Sequence, residues 1–211
     1  MKTNEQVYRE IEQYRDTVNF PYFNEEVVAD FFHNKYLSYI NSIVMQGESE
    51  MIRSRISPLI YTQELDGAKS FVTTEIEHSV FLIRNILANM EFECRGLKRI
   101  ITRPVLPVTD DAIGFVLDDP FSTPDDYFPL YMETSAGLEG HRMITIHSKT
   151  TPKGIIFTYV KMPKKIDFIG DPDGYMEVNE MAQKEIIKSV VSELSAIIPD
   201  ARYNGLKNEQ I

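Results

Sequence analysis

HSVFLIRNIL, residues 78–87, is the stretch whose reading decides the fold. Its apolar residues suit a helix or a buried strand, because a run this short carries no period that separates the two. The segments after it favour strand. KRIITRPV (98–105) runs β-branched residues into Pro104, and MITIHS (143–148) alternates Met143, Thr145 and His147 with Ile144, Ile146 and Ser148. GIIFTYVKMP (154–163) is rich in β-branched and aromatic residues and stops at Pro163. KTTPKG (149–154) reads as the hairpin connection joining these last two strands. TDDAIGFVL (109–117) reads as a short helix capped by Thr109.

Helices flank this β region. Thr3 or Asn4 is placed to cap a first helix carrying Val7, Ile11 and Tyr14 on one face. Pro21, in NFPYF, interrupts it. Asn24 then caps a longer helix whose stripe is Val28, Phe32, Tyr36, Tyr39, Ile40 and Ile43, with Gly47 as its stop. SEMIRSRISPLI (49–60) adds a helix ended by Pro58. Near the end, Ile187, Val190, Val191, Leu194 and Ile198 share a face of one more helix, closed by Pro199.

The expected class is therefore α+β: N-terminal helices, an antiparallel β-sandwich-like unit with a short inserted helix, and a C-terminal helix. The expected divisions are a helical part over 1–65, a β unit over 66–170, and a turn and helix over 171–211. All three are expected to pack as one compact domain.

An excess of 32 acidic over 22 basic side chains, a net charge of −10, argues against non-specific adhesion to DNA or anionic lipid. MKTNEQVYRE at the start has no apolar core of the signal-peptide kind. No run approaches the ~18 apolar residues of a membrane span, so a soluble chain without membrane contact is expected. Cys94 is the only cysteine, which excludes an intrachain disulfide. Its apolar neighbours in NMEFECRGL predict a buried, inert thiol.

DPDGYMEVNE (171–180) sets Asp171, Asp173, Gly174 and Glu180 at spacings of an EF-hand calcium loop. The match fails at its first ligand position, which is Ile169, and no helix is predicted before it. The reading is a turn, with Gly174 supplying backbone freedom and Asn179 capping the last helix. His141 and His147 lie roughly 20 Å apart if on one strand, at ~3.3 Å per residue, too far to share a metal. His33 and His78 have no ligand partner nearby in sequence. Gly137 and Gly140 in SAGLEG lack phosphate-loop spacing, and no catalytic signature occurs. No metal, no cofactor and no enzymatic activity are expected.

LDDPFSTPDDYFPLY (117–131) is the most unusual segment, with aromatics set between prolines and acids. Either Phe121 and Phe128 fold into the local core, or the proline-stiffened loop presents Phe121 as an anchor for a protein partner. On the second reading Asp119, Pro120, Phe121, Pro124 and Tyr127 form an interface.

Three stretches together resemble the ring, or adaptor, proteins of the head-to-tail connector of crAss-like phages. FNEEVVADFFHNKYLSYI (23–40) with SEMIRSRISPLI is similar to the family's opening helix and its charged continuation. RPVLPVTDDAIGFVLDDPFSTP (103–124) resembles its strand, short helix and DPF-x-x-P loop. FTYVKMPKKIDFIG (157–170) leading to EMAQKEIIKSVVSEL (180–194) resembles its closing strand and helix. The chain departs in carrying Ser122 and Thr123 where the family more often has basic residues.

The resemblance implies a non-enzymatic virion protein, made in the host bacterial cytoplasm. It would form a homo-oligomeric ring, commonly of twelve copies, under the portal and against other connector or tail proteins. DNA would pass through the ring without sequence-specific binding. A different class remains open: a small soluble β-sandwich module that binds a protein or a sugar.

Overall fold

In the computed structural model the 78–87 stretch lies within a 15-residue strand, Val80–Cys94. The structure describes residues 2–18, 24–46, 54–136 and 141–208. The Pro21 interruption, the Gly47 stop and the glycines at 137 and 140 lie outside the described residues. Helices are α1 (Asn4–Val18), α2 (Glu25–Met45), α3 (Asp110–Asp118) and α4 (Glu180–Asn208). Strands are β1 (Ile60–Asp66), β2 (Ser70–Val72), β3 (Val80–Cys94), β4 (Leu97–Val108), β5 (Leu130–Ser135), β6 (Arg142–His147) and β7 (Gly154–Lys161). The chain divides into two compact units, Met1–Leu59 with Pro163–Ile211, and Ile60–Met162. The class is α+β, with helices at both ends of the chain and a short helix inserted among the strands.

The helical unit is organised by helix caps and by buried polar groups that find hydrogen bonds. Asn24 caps α2, its side chain accepting from the Glu26 amide at 3.2 Å. Val28, Phe32, Tyr36, Ile40 and Ile43 are buried on α2, as the stripe predicts, whereas Tyr39 at its margin is half-buried and donates its hydroxyl to Glu185. Burial pushes the Tyr36 hydroxyl pKa up, and its oxygen accepts the Glu177 amide at 3.1 Å. On α4, Gln183 is fully buried; its amide nitrogen donates to the Met176 and Val178 carbonyls, and its oxygen accepts the Lys2 amide. Asn179 caps α4, its oxygen accepting from the Ala182 amide at 2.9 Å. Two sequence-based bounds shift. Pro58 sits inside a 3-10 turn, Ser57–Leu59, and α4 continues beyond Pro199, since a proline deletes one helical bond without obliging the chain to leave the helix.

The other unit is a single curled, mixed sheet in the order β1-β7-β3-β4-β5-β6-β2. The β4–β5 pair is parallel and the other pairings described are antiparallel. Ile86, Ala88 and Met90 alternate inward from β3 and are fully buried. In its first half β3 slips register between Val80 and Leu82, and again between Ile83 and Asn85. Such bulges break the two-residue period, which is why this stretch does not declare itself a strand in sequence. Phe157 on β7 packs edge-on against Phe71 (5.5 Å between centroids) and stacks on Tyr159 (5.3 Å), filling the curl. Arg95 and Gly96 turn β3 into β4, both in left-handed backbone (φ 52° and 76°), as a two-residue hairpin turn requires.

Two expectations are corrected. The 149–154 segment is not a hairpin connection: β6 pairs with β5 and β2, while β7 inserts between β1 and β3. The chain crosses instead from one end of the sheet order to the other. Cys94 is exposed, because the β3–β4 hairpin outruns the core and carries its last residues into solvent.

Gly67, in the 67–69 connection between β1 and β2, presses against the backbone of this 148–153 crossing. A Cβ there would strike the Pro152 carbonyl oxygen and lie 2.7 Å from the Lys153 carbonyl carbon. Neither neighbour is a side chain that could rotate away. Gly67→Val is expected to destabilise the chain by about 2 kcal/mol or more, read as a lower urea midpoint. An unchanged midpoint would contradict the close crossing.

Candidate functional site

A parallel strand pair cannot be closed by a tight turn; it needs a long crossover. Between β4 and β5 that crossover is 109–129, and it holds α3 and the proline-rich loop. Thr109 occupies the N-cap position of α3, but its side chain makes no capping bond. No residue of α3 is buried, and Phe115 is 81% exposed.

The loop after α3 is ordered by its acids. Asp119 accepts the Phe121 amide at 2.9 Å and the Ser122 hydroxyl at 2.7 Å, and its carbonyl accepts the Thr123 hydroxyl. Asp125 accepts the amides of Tyr127 and Phe128, both at 2.8 Å. Asp126 accepts the Thr150 amide at 2.7 Å, tying the loop to the connection after β6. Pro124 and Pro129 are buried, which pins the loop in its middle and at its end. Between those constraints Phe121 is 98% exposed and Phe128 71% exposed. The local-core alternative for these two rings is therefore excluded by their positions.

Of the five residues proposed as an interface, Pro120 and Phe121 are exposed and Asp119 shapes the turn beneath them. Pro124 is an internal anchor. Tyr127 faces the hairpin: its ring lies 4.6 Å from that of Phe92, and the Arg103 guanidinium sits over it at 5.3 Å. Below the loop is a cleft of about 670 Å³ whose lining includes Lys69, Pro120, Phe121, His147 and Lys149. Burial, with Lys69 nearby, holds the His147 imidazole below its ordinary pKa. Nothing in the sequence pairs Lys69 with His147; β2–β6 pairing brings them together.

The acids of 171–180 serve a different purpose. The Pro172 and Gly174 carbonyls accept the Glu5 and Asn4 amides at the start of α1, at 3.1 and 2.7 Å. The Asn4 side chain donates to the Asp171 carbonyl at 2.8 Å, and a Cβ on Gly174 would collide with the Asp171 carboxylate. Glu180 pairs with Lys184 at 3.0 Å. Among the described residues no three His, Cys, Asp or Glu side chains gather as a cation site. Among the described residues no helix is long and apolar enough to cross a membrane.

Large exposed side chains that sequence reasoning did not single out are Phe115 and Leu117 on α3, and Leu97 and Ile100 on the hairpin. On α3, Ala112, Ile113 and Val116 fall on the half-covered face, and Phe115 and Leu117 are apolar residues left over on the exposed one. No protein-family model matches the chain, and comparison with curated proteins finds no match.

The Ser122 hydroxyl and then the Phe121 amide hold the Asp119 carboxyl below the usual aspartate pKa. Because the folded value is depressed, the order it imposes is complete above the ordinary aspartate pKa of about 3.9 and is lost as pH falls through the lower folded one. The Phe121 amide resonance should move with a midpoint below that ordinary value, and Asp119→Ala should abolish the movement. A midpoint at the ordinary value would contradict the hydrogen-bonded loop.

Proposed function

We propose that the chain is a virion structural protein, a subunit of a ring in the phage head-to-tail connector that joins portal to tail. The observation that carries this reading is Phe121, 98% exposed on a loop held by Asp119 and Pro124. A bare aromatic on a preordered backbone gives up apolar burial in the isolated subunit and regains about 2 kcal/mol when a partner covers it. Phe115 and Phe128, on the same crossover, are also exposed.

Ring closure needs a heterologous interface, in which one face of a subunit meets a different face of the next. The Ile60–Met162 unit offers two such exposed apolar surfaces, the α3 loop and the β3–β4 hairpin. The net charge of −10 fits a wall past which DNA must move without being retained, since a negative surface repels phosphate. On this reading the chain performs no chemistry, lets DNA pass without sequence-specific binding and resides in the particle.

One observation favours the second reading, a small binding module: the cleft of about 670 Å³ beside Lys69, His147 and Lys149. Native mass spectrometry separates the two. The ring reading expects a species of about twelve copies at high protein concentration, lost in Phe121→Ala while the thermal midpoint stays within a degree or two. A monomer at every concentration, or full assembly by the variant, would count against it.

A further inference from the structure

The two exposed apolar surfaces of the Ile60–Met162 unit carry opposite charge. On the hairpin face that carries Cys94 and Leu97 stand Arg99 and Arg103 and no acid, with Arg95 at the turn, while Glu91 and Glu93 stand on the opposite face with Lys98. Residues 104–141, which include α3 and its loop, hold eight acids and neither Lys nor Arg. Within the chain, Lys98 is bonded to Glu91 at 2.7 Å and Arg103 is spent over Tyr127 and Phe92. Arg95 and Arg99 on the hairpin, and Asp110, Asp111 and Asp118 on α3, have no ion pair among the described residues and are exposed. Beside the free cations stands Leu97, about three-fifths exposed and on the same strand face as Arg99, whereas Ile100 points from the opposite face. Beside the free acids stand Phe115 and Phe121.

We propose that the β3–β4 hairpin tip of one copy docks on the α3 and 119–121 surface of a second copy. Leu97, on the strand face that also carries Arg99, would cover Phe115 and Phe121, with Arg95 and Arg99 against Asp110, Asp111 and Asp118. Opposite charges at the rim of an apolar contact set its register and reject the like-charged alternatives of hairpin on hairpin or loop on loop. Both surfaces are held before binding, the loop by Asp119 and the hairpin root by the Phe92–Tyr127–Arg103 stack. Because the surfaces differ, the contact is head-to-tail and propagates from copy to copy. It rests on the ring reading above and adds to it the surface that receives the loop.

Gly114 provides the test. It lies midway between Asp110 and Asp118 on α3, and a Cβ there meets no atom within 4 Å. Cys94, the chain's only cysteine, is exposed at the hairpin tip. Gly114→Cys, oxidised at low ionic strength, should form a ladder of cross-linked copies in which peptide mass spectrometry finds Cys94 joined to the introduced thiol. Adding Cys94→Ser should remove the ladder. Arg99→Glu should cut it about tenfold, and Arg99→Glu with Asp118→Arg should restore it. Large oligomers without that disulfide would overturn this contact and leave the ring reading standing. A monomer under all conditions would overturn both. Retention of a short DNA duplex that Arg99→Glu abolishes, with no ladder, would assign the hairpin to nucleic acid and overturn the contact. Linkage confined within single chains would overturn it as well.

Discussion

The β unit depends on a constraint of chain length. β1 and β2 are the two ends of a seven-strand sheet order, yet only residues 67–69 separate them. In a flat sheet six interstrand steps would hold those ends about 29 Å apart. The connection spans at most about 15 Å from Asp66 to Ser70. The sheet must curl until its ends approach. The same curl lets the chain pass from β6, beside one end, to β7, beside the other. Both connections then cross one seam, which is why the backbone at Gly67 meets that at Pro152. The packing of Phe157 against Phe71 follows, since β7 and β2 are brought across the interior from opposite ends of the order.

The exposed loop follows from the same topology. β4 is long enough to serve two partners: its first part pairs with β3 and its last residues, Leu106–Val108, pair in parallel with β5. A parallel neighbour demands a crossover, and this one carries a helix that buries none of its residues. Hydrogen bonds from Asp119, Asp125 and Asp126, rather than apolar packing, therefore fix the path. Its rings are left outside, where another protein surface would gain by covering them. The hairpin arm is exposed for a related reason: beyond Leu106 β4 is tied to β5, whereas toward the Arg95–Gly96 turn it leans on β3 alone.

Where one period governed a whole element, the fold was legible in the sequence. Val28, Phe32, Tyr36 and Ile40 mark the buried face of α2, and Ile144 with Ile146 that of β6. Legibility failed where a long-range pairing overrode the local pattern. KTTPKG has hairpin composition, and nothing within it reveals that β7 prefers β1 and β3. Cys94 sits among apolar letters, but Phe92 is the last ring on that face to find a neighbour before the hairpin leaves the core. β1, β2 and β5 are short and mixed in polarity, so they become strands only when the sheet supplies their partners. Of the candidate site, the prolines and acids of 118–129 were visible as a stiff loop. The basic letters of 95–103 stand in one local window, but the exposure of Phe115 and of the β3–β4 hairpin depends on tertiary pairing, which no local window contains.

The proposed role rests on one surface, a rigid acidic and aromatic loop built on the crossover of a curled sheet. The most direct measurement is localisation in the intact particle, by antibody labelling of this chain and electron microscopy of purified virions. A connector subunit would confine the label to the junction of head and tail. Label absent from particles, or found along the tail or at distal fibres, would contradict the proposed role.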